Sequence, residues 1–221
     1  MITSDIPDRC RLVLIAPPVS DPVGLRDAVA RALDGGDVAS VILPRGNLDD
    51  ASYQAVAELV VPEIQSRGAA AILEGDTRIA GRVGADGVHV DVSPRDLAEL
   101  VEQTDGRMIV GAGGAKTRHD ALELGEARPD YLFFGRFAYD DRLEVHPRNI
   151  TLGSWWAEIV EIPCLVLAGK DPASVLDVAA TGAEFVAVGA AVFAVAGGEA
   201  GAVRAANALL DETAPKFSEM A

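Results

Sequence analysis

The strongest constraint on this chain is a rhythm. Eight short apolar runs rich in Val, Ile, Leu and Phe alternate with longer stretches rich in Ala and Leu. The runs fall at residues 11–16, 38–43, 69–73, 86–90, 107–111, 130–134, 163–168 and 184–188. Short, almost wholly apolar runs are what parallel strands buried on both faces look like. Between the first two, Leu25, Ala28, Val29, Ala32 and Leu33 recur at helical spacing. Further helices are expected over 49–67, 76–83, 94–103, 116–124, 152–160, 172–180 and 190–210. Pro62 should kink or divide the second helix, because proline lacks the amide the ladder needs. Gly197–Gly198 should break the last. Eight strand–helix units in succession favour a closed parallel barrel over an open doubly wound sheet. The fold expected is a single (β/α)8 TIM barrel, one α/β domain over residues 1–221, with the barrel at about 11–210 and polar tails.

Composition removes several function classes. The 19 Lys+Arg face 34 Asp+Glu, a net charge of −15, and no basic cluster stands against that field. Nucleic-acid binding is not expected. A hydrophobic content of 49% excludes a disordered chain. No run approaches the ~20 apolar residues that span a bilayer, and residues 12–16 are too short a run for a signal peptide. A soluble, cytoplasmic protein with no membrane partner is expected. Cys10 and Cys164 form no CxxC and cannot make a four-cysteine zinc site, which suits a reducing compartment. A phrase also recurs: Gly84–Ala85–Asp86 and Gly182–Ala183–Glu184 each place an acid just ahead of a strand, with looser copies at Asp37 and Asp130. It reads as a repeated helix-to-strand turn. Trp155–Trp156 reads either as helix–barrel packing or as a homodimer contact.

In a barrel of this kind the chemistry sits on the loops that follow the strands. Phosphate commonly binds after strands seven and eight, so Gly169, Lys170, Gly189 and Ala190 are the phosphate candidates. The same glycines could simply permit tight turns. Glu74 and Asp76 follow strand three and Asp91 follows strand four. Asp76 and Asp91 could hold magnesium against a substrate phosphate, or be solvated loop acids. His89 shares strand parity with Asp91 and is either a site or a core histidine. Glu74, Asp76, His89 and Asp91 are the acid–base candidates. Arg45 and Arg136 end strands two and six and could contact an anion or make rim ion pairs. Gly113 belongs to a glycine run, residues 111–114, that lacks both the dinucleotide and the P-loop spacing.

Four stretches carry a resemblance: residues 84–90, residues 129–135, Asn47–Leu48–Asp49, and residues 182–192. With them the chain resembles the thiamine phosphate synthase and thiazole tautomerase superfamily over about residues 11–195. The resemblance implies a barrel that joins a pyrimidine diphosphate to a thiazole phosphate. Magnesium would stabilise the leaving diphosphate, and a pyrimidine carbocation would form before the thiazole nitrogen attacks. Position by position, the polar contacts are mostly replaced. The Gln-x-Arg-x-Lys set after strand two falls on Ile42, Pro44 and Gly46, with Arg45 one step away. The Asn-Asp after strand three falls on Glu74 and Gly75, beside Asp76. The metal Asp after strand four falls on Pro94, flanked by Asp91 and Asp96. The strand-five Ser falls on Gly113 and the tautomerase His on Ala115. The Thr-x-Thr-Lys falls on Asp140, Arg142 and Leu143. The phosphate-loop Gly-Gly falls on Ala168 and Gly169, and the helix-opening Ser on Ala190.

Losing one hydrogen bond to a charged group costs about 1.5–3 kcal/mol, so losing several should abolish the usual coupling. Three readings follow. The first is a diverged family member that binds a small phosphorylated ligand in or near thiamine metabolism. The second is an enzyme with a different acid–base reaction at the same mouth. The third is a non-catalytic binding or regulatory barrel.

Overall fold

A computed structural model of the chain describes residues 6–137, 142–194 and 196–220. Eight parallel strands close into a barrel in sequence order. They are β1 (Arg11–Ile15), β2 (Ser40–Leu43), β3 (Ala70–Glu74), β4 (Gly87–Val90), β5 (Ile109–Ala112), β6 (Tyr131–Phe134), β7 (Cys164–Leu167) and β8 (Phe185–Val188). Closure is made by β1 on β8, with Arg11 opposite Phe185 and Leu14 opposite Val188. The helices are α1 (Pro22–Leu33), α2 (Asp50–Gln65), α3 (Thr77–Val83), α4 (Pro94–Thr104), α5 (Arg118–Gly125), α6 (Pro147–Ile159), α7 (Val175–Ala179), α8 (Ala190–Phe193), α9 (Glu199–Thr213) and α10 (Phe217–Met220).

Alternation along each strand makes two cores. Val13, Ile15, Ile42, Ile72, Phe133, Leu165, Leu167 and Ala187 fill the lumen. Residues of opposite parity, such as Leu12, Leu14, Val41, Val88 and Val186, pack outward against the helices. Trp156 belongs to this outer core. It is 1% exposed, its ring meets Phe134 edge-on at 5.8 Å, and its Nε1 donates to the Ile162 carbonyl at 2.7 Å. Trp155 is half-buried, with the Arg118 guanidinium 5.0 Å above its ring. Both cysteines are free and buried. Among the described residues no helix is long and apolar enough to cross a membrane.

Three elements depart from expectation. α2 runs unbroken through Pro62. Pro62 and Glu58 both lie on the exposed face, so the carbonyl that loses its partner is left to water. α6 begins at Pro147 rather than at 152, because His146 caps it through Nδ1, which accepts from the Arg148 amide at 3.2 Å. The seventh helix is split into a 3₁₀ turn, Pro172–Ser174, and the short α7. The break at Gly197–Gly198 is present, separating α8 from α9.

The recurrent acidic phrase has a function that sequence spacing did not reveal. Asp86 ahead of β4 accepts from the Ala71 amide at 2.7 Å, Asp130 ahead of β6 from Val110 at 2.7 Å, and Glu184 ahead of β8 from Cys164 at 2.8 Å. Asp37 ahead of β2 takes the Arg11 guanidinium at 3.0 and 2.6 Å. Each acid before an even strand pins the start of the odd strand beside it. These contacts lie at the end of the barrel opposite the mouth.

Candidate functional site

One row of lumen positions crosses four strands near the mouth. Glu74 on β3 is opposite His89, His89 is opposite Gly111, and Gly111 is opposite Tyr131. A Cβ at Gly111 would run into the Tyr131 ring. Glycine there lets the phenol cross the row, and Tyr131 Oη lies 3.0 Å from His89 Nδ1. The His89 ring is 5.5 Å from Phe133 and 5.1 Å from Phe137. Only 1% of His89 is exposed, and among the described residues its Nε2 has no hydrogen-bond partner. Burial pushes its pKa down to about 3, so the imidazole is neutral. Burial also holds the Tyr131 phenol well above its ordinary range.

Asp91 is two residues beyond His89 on the same face. Its Oδ1 lies 3.8 Å from His89 Nε2, and its side chain is 65% exposed. Desolvation on its protein side raises its pKa, and the Arg136 charge works against that rise. A Cβ at Gly113 would collide with Asp91 Oδ1 and lie 2.9 Å from His89 Nε2. Expected candidates His89, Asp91, Gly113 and Arg136 are therefore neighbours at one mouth.

Other candidates are placed differently. Glu74 joins the row, but its Oε2 accepts from the Arg45 amide at 2.7 Å. Tyr53 on α2 supports this corner, donating to the Leu43 carbonyl at 2.6 Å and accepting from the Glu74 amide at 2.9 Å. The Arg45 guanidinium turns away from the mouth to the Leu48 carbonyl at 2.9 Å and to Asp50. Asp76 caps α3, accepting from the Arg78 amide at 2.7 Å and from its guanidinium at 2.9 Å. That pairing lowers its pKa. After β7, the Gly169 amide donates to Ser174 Oγ at 3.0 Å, Lys170 to the Arg142 carbonyl at 2.6 Å, and Asp171 to the Leu143 carbonyl at 3.1 Å. A Cβ at Gly169 would strike the Leu143 carbonyl, so glycine is needed for the two loops to touch. Gly189 and Ala190 open the four-residue α8 beside β1. Asp140, matched above to the Thr-x-Thr-Lys, lies outside the described residues.

Asp76 and Asp91 are the magnesium candidates, with solvated loop acids the alternative. Among the described residues no three His, Cys, Asp or Glu side chains gather closely enough to hold a metal ion. In this structure Asp76 is paired with Arg78, and Glu74 accepts from the Arg45 amide. Sequence reading missed Tyr131, Phe137, Tyr53 and Ser174. Tyr131 was legible as a polar residue at lumen parity. Ser174 and Tyr53 act on backbone groups and carried no signal.

A closed parallel (β/α)8 barrel with polar groups gathered at the strand C-termini places the chain in the TIM-barrel class. The thiamine monophosphate synthase family model matches residues 12–192, and the chain belongs to that family. The thiamine-phosphate synthase of Rhodospirillum centenum is 34% identical over 205 residues, 91% of this chain and 98% of that protein. That of Hyphomonas neptunium is 32% identical over 214 residues, 93% and 96%. Thiamine phosphate pyrophosphorylase from Pyrococcus furiosus shares the fold, with TM-score 0.73 at 21% identity over 93% of this chain and 97% of that one.

Proposed function

We propose that this barrel binds a small phosphorylated heteroaromatic ligand of thiamine metabolism at its C-terminal mouth, with little of the diphosphate-displacing coupling. The observation that carries this reading is the buried His89 Nε2, unpartnered among the described residues and set among Tyr131, Phe133 and Phe137, with Asp91 beside it. Aromatic walls over a polar floor suit a flat ring with one or two hydrogen-bonding atoms. Arg136, Lys170 and the Gly189–Ala190 turn are the groups proposed for the phosphate. The weak grip on a diphosphate is argued from Ile42, Pro44 and Gly46, and from the Arg45 guanidinium's engagement with Leu48 and Asp50.

Thiamine phosphate formation from the pyrimidine diphosphate and the thiazole phosphate with magnesium tests the reading, alongside calorimetry with each substrate alone. Binding of a phosphorylated substrate with turnover at least 100-fold below a R. centenum control is expected. Turnover matching that control would refute the reading. A second reading, acid–base catalysis of a different reaction, is favoured by the His89–Asp91 proximity of 3.8 Å. It expects D91N to abolish turnover of a substrate whose binding it leaves intact.

A further inference from the structure

The protons of the mouth can be assigned. A neutral imidazole carries a proton on one nitrogen and accepts at the other. The partly buried Tyr131 phenol keeps its proton and donates it to an acceptor. Among the described residues the hydroxyl meets His89 Nδ1, at 3.0 Å. The phenol therefore donates to Nδ1, and the ring proton sits on Nε2. Among the described residues that N–H is buried without a partner, and Asp91 Oδ1 stands 3.8 Å away. Side-chain rotation of the exposed Asp91 can close this gap. Two glycines leave the room: a Cβ at Gly111 would displace the Tyr131 ring, and one at Gly113 would displace the Asp91 carboxylate.

We infer that Tyr131, His89 and Asp91 work as one hydrogen-bonded string, in which the phenol fixes the imidazole as its Nε2–H tautomer and that N–H seats the Asp91 carboxylate as the mouth's acceptor for a ligand bearing an N–H or amino group. His89 and Tyr131 are positioning residues, and Asp91 is the group that meets the ligand. The ligand half rests on the mouth reading above; the proton assignment does not. The charged groups around the string are Arg136, whose charge acts on Asp91, and Glu74, His89's register partner on β3.

Nitrogen-15 NMR of the His89 side chain in the full chain tests the assignment without any ligand. The Nε2–H tautomer is expected, with no titration between pH 5 and 8. Y131F should mix the tautomers or shift them to Nδ1–H. D91N should move the Nε2 shift and keep the tautomer. Asp91→Ala, at a side chain 65% exposed and outside the core packing of both rings, should move Nε2 as D91N does and guards against a Y131F chain that does not fold. An Nδ1–H tautomer in the native chain, or an Nε2 shift unmoved by both D91N and D91A, overturns the string. For the ligand half, the probes are 2-aminopyridine and pyridine. The amino compound should bind at least fivefold tighter, and D91N should erase the difference. A difference that persists in D91N overturns Asp91's role. Binding of neither probe overturns the ligand half together with the mouth reading, while the tautomer result stands by itself.

Discussion

His89 is neutral in the fold and takes a proton on unfolding at any pH between about 3 and its ordinary 6.5. In that window the unfolded chain binds more protons, so stability falls as pH falls, by up to ~1.4 kcal/mol per unit. Asp91, whose pKa is raised, works in the opposite sense at the acid end of the window. Denaturant midpoints at pH 7, 6 and 5 should decline, and H89Q should flatten the decline. Tyr53 is a second residue with a defined load. Removing its hydroxyl removes both the bond to the Leu43 carbonyl and the bond from the Glu74 amide. Y53F should cost about 1–3 kcal/mol in urea melts, and an unchanged midpoint would show that water replaces the phenol. His89 and Asp91 could be nominated from parity alone. Tyr131 shares that parity, but its meeting with His89 across Gly111 depends on a register shared by three strands.

Among the elements, the pinned strand starts and the proline helix make opposite predictions. D86A and D130A each remove the acceptor of a strand amide. Each should lower stability by about 1–3 kcal/mol and leave ligand binding at the far mouth unchanged. P62A restores the missing ladder bond of α2 on its exposed face and should raise stability by ~1 kcal/mol or more. The element order and the break at Gly197–Gly198 were legible because apolar periodicity and glycine act locally. The early start of α6 was partly legible: Pro147 and His146 were visible, but a histidine cap is an unusual one. The β7 loop was not. Its glycine read as room for an anion, and the fold fills that room with the Leu143 carbonyl.

Across the whole molecule, barrel closure depends on a buried cation at the end opposite the mouth. Arg9 is 2% exposed and donates to Asp211 at 2.7 Å, to the Cys10 carbonyl at 2.8 Å and to Asn207 at 3.0 Å. It ties the entry of β1 to α9. R9A should cost about 3 kcal/mol, since hydrogen bonds to charged groups are worth ~1.5–3 kcal/mol each, and calorimetry should show one lowered transition.

The order of eight strands, the parity that turns His89 inward and the acids ahead of the even strands were determined by the chain as written. Short-range patterning sets all three, since apolar period and turn chemistry act over a few residues. Which groups meet at the mouth was decided only by closing the barrel. Closure sets strand register, and register brings Tyr131 onto His89 across Gly111, Asp91 over Gly113, and the carbonyls of Arg142 and Leu143 onto the β7 amides. Tyr131 and His89 are 42 residues apart, Asp91 and Gly113 are 22 apart, and each carbonyl–amide pair is 28 apart, and no local signal states how far one strand slides along the next.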